Sequence, residues 1–75
     1  MNLPSHVVMS RYRLQLQEWE VAKLDATIAH ATHRELGSSQ ETLDRLSARV
    51  VEANKAIHIL EKAIEALPQL EAIER

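Results

Sequence analysis

Between Leu43 and Leu67 the apolar positions Leu43, Leu46, Val50, Ala53, Ile57, Leu60, Ile64 and Leu67 recur at steps of three and four without a break. That period is the seam of a long helix packing lengthwise on another helix; a strand would need alternation by two. The rest of the chain is read against this helix.

Before it, from about His6 to Leu36, no Pro or Gly interrupts the sequence. One long helix is predicted there, closed by Gly37, which can take the left-handed conformation of a helix end, with His33 and Arg34 suiting the negative end of the helix dipole. Ser5 is the expected N-cap, with Ser10 as the alternative start. Ser38 and Glu41 have the spacing of a capping box, so the second helix is expected from about residue 39. Pro68 lacks an amide and disfavours helical geometry in its predecessor, which predicts a stop or kink after Leu67, with residues 69–75 adding a further helical turn or two. Met1 to Pro4 are expected to fray.

The first helix carries two apolar stripes on nearly opposite sides. One holds Val7, Leu14, Val21, Leu24, Ile28 and Ala31; the other holds Val8, Met9, Tyr12, Leu16, Trp19 and Ala26. A turn as short as Gly37-Ser38 makes the helices antiparallel neighbours. The expected pairing sets Ile28 near Leu46, Leu24 near Val50, Val21 near Ala53, Leu14 near Leu60 and Val7 near Leu67. This leaves the aromatic stripe outside the hairpin, together with a flanking row of the second helix, Ala48, Val51, Ile59, Ala63, Ala66 and Leu70. Met9, Tyr12, Leu16, Trp19, Ala26, Val51, Ile59 and Ala63 are therefore the candidate partner interface, either as core of a larger bundle or as a docking stripe. The expected fold is all-α: a single antiparallel, coiled-coil-like hairpin domain, with two hairpins assembling into a four-helix bundle.

Size supports the need for a partner. A chain of 75 residues is near the limit at which a monomer buries enough apolar surface to offset its conformational entropy, and without Cys it has no disulfide or thiolate staple. The 9 basic and 11 acidic side chains are interspersed, so there is no basic stripe for nucleic acid and no one-signed polar face for a membrane surface. The start of the chain lacks a basic region followed by an apolar run, and no uncharged apolar stretch is long enough to span a bilayer. A soluble, cytoplasmic protein is expected.

Candidate chemistry is sparse. His30 and His33 are the nearest approach to a metal pair, but a helical two-His site more often uses a spacing of four with a carboxylate completing it. A histidine-based metal bundle is the competing class. Carboxylates mostly stand three or four residues from a base, as Glu20 from Lys23 and Glu41 from Arg45, which suits a solvated face. The Glu-x-x-His pattern of di-iron bundles, a Gly-rich phosphate loop and a nucleophile triad are all lacking, so neither enzymatic activity, a cofactor nor a small-molecule substrate is expected.

The stretch from Leu24 through His33-Arg34-Glu35-Leu36-Gly37, the Ser-rich turn, Leu46-Ser47-Ala48-Arg49 and Ala56-Ile57-His58-Ile59-Leu60 resembles the small helical-hairpin co-chaperones of type III secretion needle subunits, the YscE and PscE group. The resemblance covers a little over half the chain; the segment before Leu24 and the stretch from Leu70 to Arg75 lie outside it. It implies a cytoplasmic, non-enzymatic chain that works with a second chaperone to hold an aggregation-prone subunit. The functional expectation is thus a protein-interaction module, an adaptor or co-chaperone that binds a helical partner or its own copy. A small phage-type or regulatory protein that binds and inhibits a host protein is the alternative.

Overall fold

A computed structural model describes the backbone from residue 5 to residue 74 and the side chains from residue 6 to residue 67. The chain forms two helices, α1 (Ser5–Glu35) and α2 (Gln40–Glu74), packed as a hairpin with extents of 57 × 18 × 15 Å. The all-α hairpin is as expected.

The turn shows why the first helix ends where it does. Ser38 N–H donates to the His33 carbonyl at 2.9 Å and Gly37 N–H to the Arg34 carbonyl at 3.2 Å, with Gly37 at φ 76°. This pair of bonds is a Schellman closure, which satisfies the carbonyls left over at a helix C-terminus and requires a residue that tolerates positive φ.

The start of α2 corrects one expectation. Ser39, not Ser38, is the N-cap: its hydroxyl accepts from the Thr42 amide at 3.3 Å and its carbonyl from the Leu43 amide at 3.1 Å. Ser38 instead places its hydroxyl 2.8 Å from His33 Nδ1, and Glu41 reaches forward to Arg45 at 3.5 Å. At the other helix, the Ser10 hydroxyl donates to the His6 carbonyl at 2.9 Å inside α1, so Ser10 is not a helix start. The expected Ser5 hydroxyl cap and the fraying of Met1 to Pro4 lie outside the described residues. α2 is continuous through Pro68, so no stop occurs there, although the proline removes the amide that would donate to Ile64.

The α2 seam is as read from the period: Leu46 and Ala53 are buried, and Leu43, Val50, Ile57, Leu60, Ile64 and Leu67 are half-buried. On α1 the opposite face from the expected one turns inward. Ala26 is buried, and Val8, Met9, Tyr12, Leu16, Trp19, His30 and His33 are half-buried, whereas Leu14, Val21, Leu24 and Ile28 are more than half exposed. Shielding that runs the length of one face comes from the other helix, so the row from Met9 to His33 is the α1 half of the seam; of the opposite stripe only Val7, among the described residues, is half-buried. Counted outward from the turn, His33 is level with Leu43, His30 with Leu46, Ala26 with Val50, Trp19 with Ile57, Leu16 with Leu60 and Tyr12 with Ile64. Relative to the expected pairing, α1 has moved by two residues, about 200° around a helix of 3.6 residues per turn, which exchanges its faces.

Two reasons favour this face. The inward stripe offers four large layers in succession, Met9, Tyr12, Leu16 and Trp19, against the large residues Ile57 to Leu67 at the open end, where no turn holds the helices together. Its aromatic members bury more area than any aliphatic residue of the other stripe. Toward the turn the seam narrows to small buried residues, Ala26 and Ala53, 7% and 1% exposed, and His33 finds a local partner in Ser38.

Candidate protein-interaction surface

The outward face of α1 is built from Leu14, Val21, Leu24 and Ile28, which are 57%, 54%, 59% and 56% exposed. Leu14, Val21 and Ile28 are seven residues apart and Leu24 falls between the last two, a heptad stripe about 20 Å long at about 1.5 Å per residue. Each stands two positions from a residue of the seam row, as Leu14 from Leu16, Val21 from Trp19 and Leu24 from Ala26, so the stripe lies directly opposite the seam. Arg11, Arg13, Glu18, Glu20, Asp25 and Arg34, all exposed, border it with charges of both signs. Large apolar groups spaced along one solvated face, with a polar rim, are the pattern of a helix that docks on another helix.

The expected interface residues are redistributed. Met9, Tyr12, Leu16, Trp19 and Ala26, expected outside the hairpin, fall in its seam because α1 presents that face to α2. Val51 and Ile59 are on the surface, 51% and 66% exposed, and Ala63 is half-buried at the seam edge. Val51 and Ile59 stand on different flanks of α2, so they do not extend one patch. The outer stripe is legible in the sequence as an apolar stripe, and the structure places it on the side of α1 away from α2. The signal that separates the two faces is continuity: Ser10 and Gln17 break the heptad of the Leu14 stripe over the stretch in which Met9, Tyr12, Leu16 and Trp19 run unbroken.

Along one flank of the hairpin the helices leave a shallow groove. Thr27, His30, Ser47, Val50 and Val51 line its part near the turn, and Glu20, Lys23, Leu24, Thr27 and Ile57 the next part. The groove is open and mainly apolar, and Leu24 joins it to the outer stripe. Lys23 occupies a seam position but is exposed, lining the flank groove with Leu24 and Ile57, as suits a side chain that keeps its ammonium in water.

The histidines have ordinary structural settings. His33 is tied to Ser38 in the turn, His30 borders the flank groove, and His6 and His58 are exposed on separate layers. Among the described residues no group of three or more His, Asp or Glu side chains is placed to hold a metal ion, and no buried side-chain polar atom lacks a hydrogen-bond partner. Glu41 and Arg45 form the one ion pair among the described residues, both largely exposed. Neither helix has a stretch long and apolar enough to cross a membrane among the described residues.

Comparison of the chain with protein-family models, curated proteins and solved structures gives no match.

Proposed function

We propose that this chain is a non-catalytic protein-interaction module, a helical hairpin that offers the outer face of α1 to a helical partner. One observation carries the reading: Leu14, Val21, Leu24 and Ile28 are all more than half exposed at coiled-coil spacing, on a hairpin whose seam is supplied by other residues. Such a face is costly to leave in water and has the geometry of a helix-in-groove or helix-on-helix contact. An adaptor or co-chaperone role in the cytoplasm, as the resemblance to needle co-chaperones implies, is the form of this function that a small rigid hairpin suits best. It would shield an apolar helix of its client with the stripe while its own fold stays closed.

The test compares the unaltered chain with Leu14→Glu, Leu24→Glu as bait in the source organism, with helicity of both baits checked by circular dichroism. A partner retained by the first and lost by the second is expected. Equal retention by two folded baits would remove the stripe from the functional contact.

A further inference from the structure

We infer that the occupant of the outer α1 stripe is a second copy of this chain, joined through α1 in a flat layer of four helices and not in a closed four-helix bundle. This rests on the reading of the stripe as a docking face and names its partner.

The first argument is area. The chain exposes 6043 Å², against about 4,700 Å² for a compact monomer of its 8.5 kDa mass. The excess of roughly 1,300 Å² is larger than the about 800 Å² that each partner gives to an ordinary stable interface. A hairpin of 57 × 18 × 15 Å cannot round itself up, and docking along its length is the way such a shape loses surface.

The second argument is self-complementarity. A two-fold axis passing between Val21 and Leu24 sets two α1 helices antiparallel, with Val21 against the second copy's Leu24, Leu14 against its Ala31 and Ile28 against its Gln17. Every layer between Leu14 and Ala31 then contains a large aliphatic residue and none of these places two polar residues together; the next layer out sets Ser10 against the second copy's Glu35 at the edge of the contact. A parallel pairing would stack Gln17 on Gln17 and Ala31 on Ala31. The isologous antiparallel contact is therefore the better use of this particular stripe.

The flat layer follows from the angle between the faces. In a closed bundle each helix has its two neighbours about 90° apart, whereas the stripe and the seam of α1 are about 200° apart, two residues at 3.6 per turn. The order is α2, α1, α1 of the second copy, α2 of the second copy, and both α2 helices keep Val51 and Ile59 in solvent. At the rim this register places Glu18 beside the second copy's Asp25 and Arg13 beside its Arg34. These like charges oppose association, so the dimer tightens as salt screens them.

Sedimentation equilibrium of the purified chain over a wide micromolar range decides it, with helicity measured on the same samples. The unaltered chain should have twice the 8.5 kDa chain mass, with dissociation moving to lower concentration as salt rises. Leu24→Glu, Ile28→Glu and, independently, Leu14→Lys, Val21→Lys should halve the mass at unchanged helicity, because these residues face solvent in the single hairpin. Val51→Glu, Ile59→Glu should leave it doubled. A folded chain that stays at single mass throughout overturns self-association while leaving the docking face for a different partner. A doubled mass that survives both stripe variants overturns the stripe as the contact between copies, and the docking face then stands or falls on the bait experiment alone. Loss of the dimer in Val51→Glu, Ile59→Glu, or dissociation promoted by salt, overturns the flat antiparallel layer.

Discussion

Ser38 Oγ lies 2.8 Å from His33 Nδ1, a contact that links the last turn of α1 to the residue that follows the helix-ending glycine. His33 occupies the position in the inward row nearest the turn, so this bond ties the end of the row that holds Tyr12, Leu16 and Trp19 to the turn. A hydrogen bond of this kind contributes about 0.5–1.5 kcal/mol net. Ser38→Ala should lower hairpin stability by that amount, read as a shift of the urea midpoint. Ser39→Ala removes the N-cap and should cost about 0.5–2 kcal/mol; an effect at Ser38 with none at Ser39 would restore the capping box expected from Ser38 and Glu41.

Gly37 at φ 76° has nothing within 4 Å of where a Cβ would stand, so a side chain meets strain of conformation and not of contact. Gly37→Ala should cost about 1–2 kcal/mol through that strain, and Gly37→Asn less, since Asn tolerates the left-handed region better. Equal stability of all three chains in urea would mean that the turn is not closed as described.

Truncating the seam should be felt where truncating the outer stripe of the isolated hairpin is not. Ile57→Ala or Leu60→Ala removes a half-buried side chain, and the loss should lie toward the low end of the about 2–5 kcal/mol seen for full burial. Leu14→Ala, measured at a dilution where the chain is a monomer, should change stability by about 0.5 kcal/mol or less. Urea midpoints of the two classes, compared at equal dilution, check this.

Leu16→Glu, Trp19→Glu separates the two possible faces of α1 sharply. With these residues in the seam, the variant places two carboxylates against Ile57 and Leu60 and should lose most of its far-ultraviolet helical signal near neutral pH. A variant that keeps its helicity and changes only its assembly state would return the aromatic stripe to the outside.

Much of this architecture can be read directly from residues. The unbroken spacing from Leu43 to Leu67 identifies the α2 seam, Gly37 marks the turn because few other residues accept its conformation, and the Glu41 and Arg45 pairing follows from their separation of four. The face of α1 could not be read the same way. Two heptad stripes lie on opposite sides of one helix, each able to meet Leu46, Val50 and Ala53, and a shift of two residues exchanges them with almost no change in loop length. What decides between them is the joint demand of the Schellman turn and the His33 contact, which no single-helix pattern reveals, together with the unbroken block of four large residues from Met9 to Trp19, which the pattern does carry. The cap failed for a related reason: two adjacent serines both precede an acceptable first turn, and Ser38 is drawn away by His33. The interaction surface follows the seam, since the face of α1 turned away from α2 is the one left to a partner.

Paired cysteines test the inward face most directly, because the chain has no Cys of its own. Ala26→Cys, Val50→Cys joins residues on the same seam layer, and a disulfide needs Cα atoms roughly 4.4–6.8 Å apart. At low concentration under mild oxidation this variant should form an intramolecular disulfide rapidly and gain resistance to urea. Leu24→Cys, Val50→Cys, which carries the exchanged face, should stay reduced within the chain. Fast closure of the Leu24 pair with none in the Ala26 pair would contradict the structure of the hairpin and the outer stripe that depends on it.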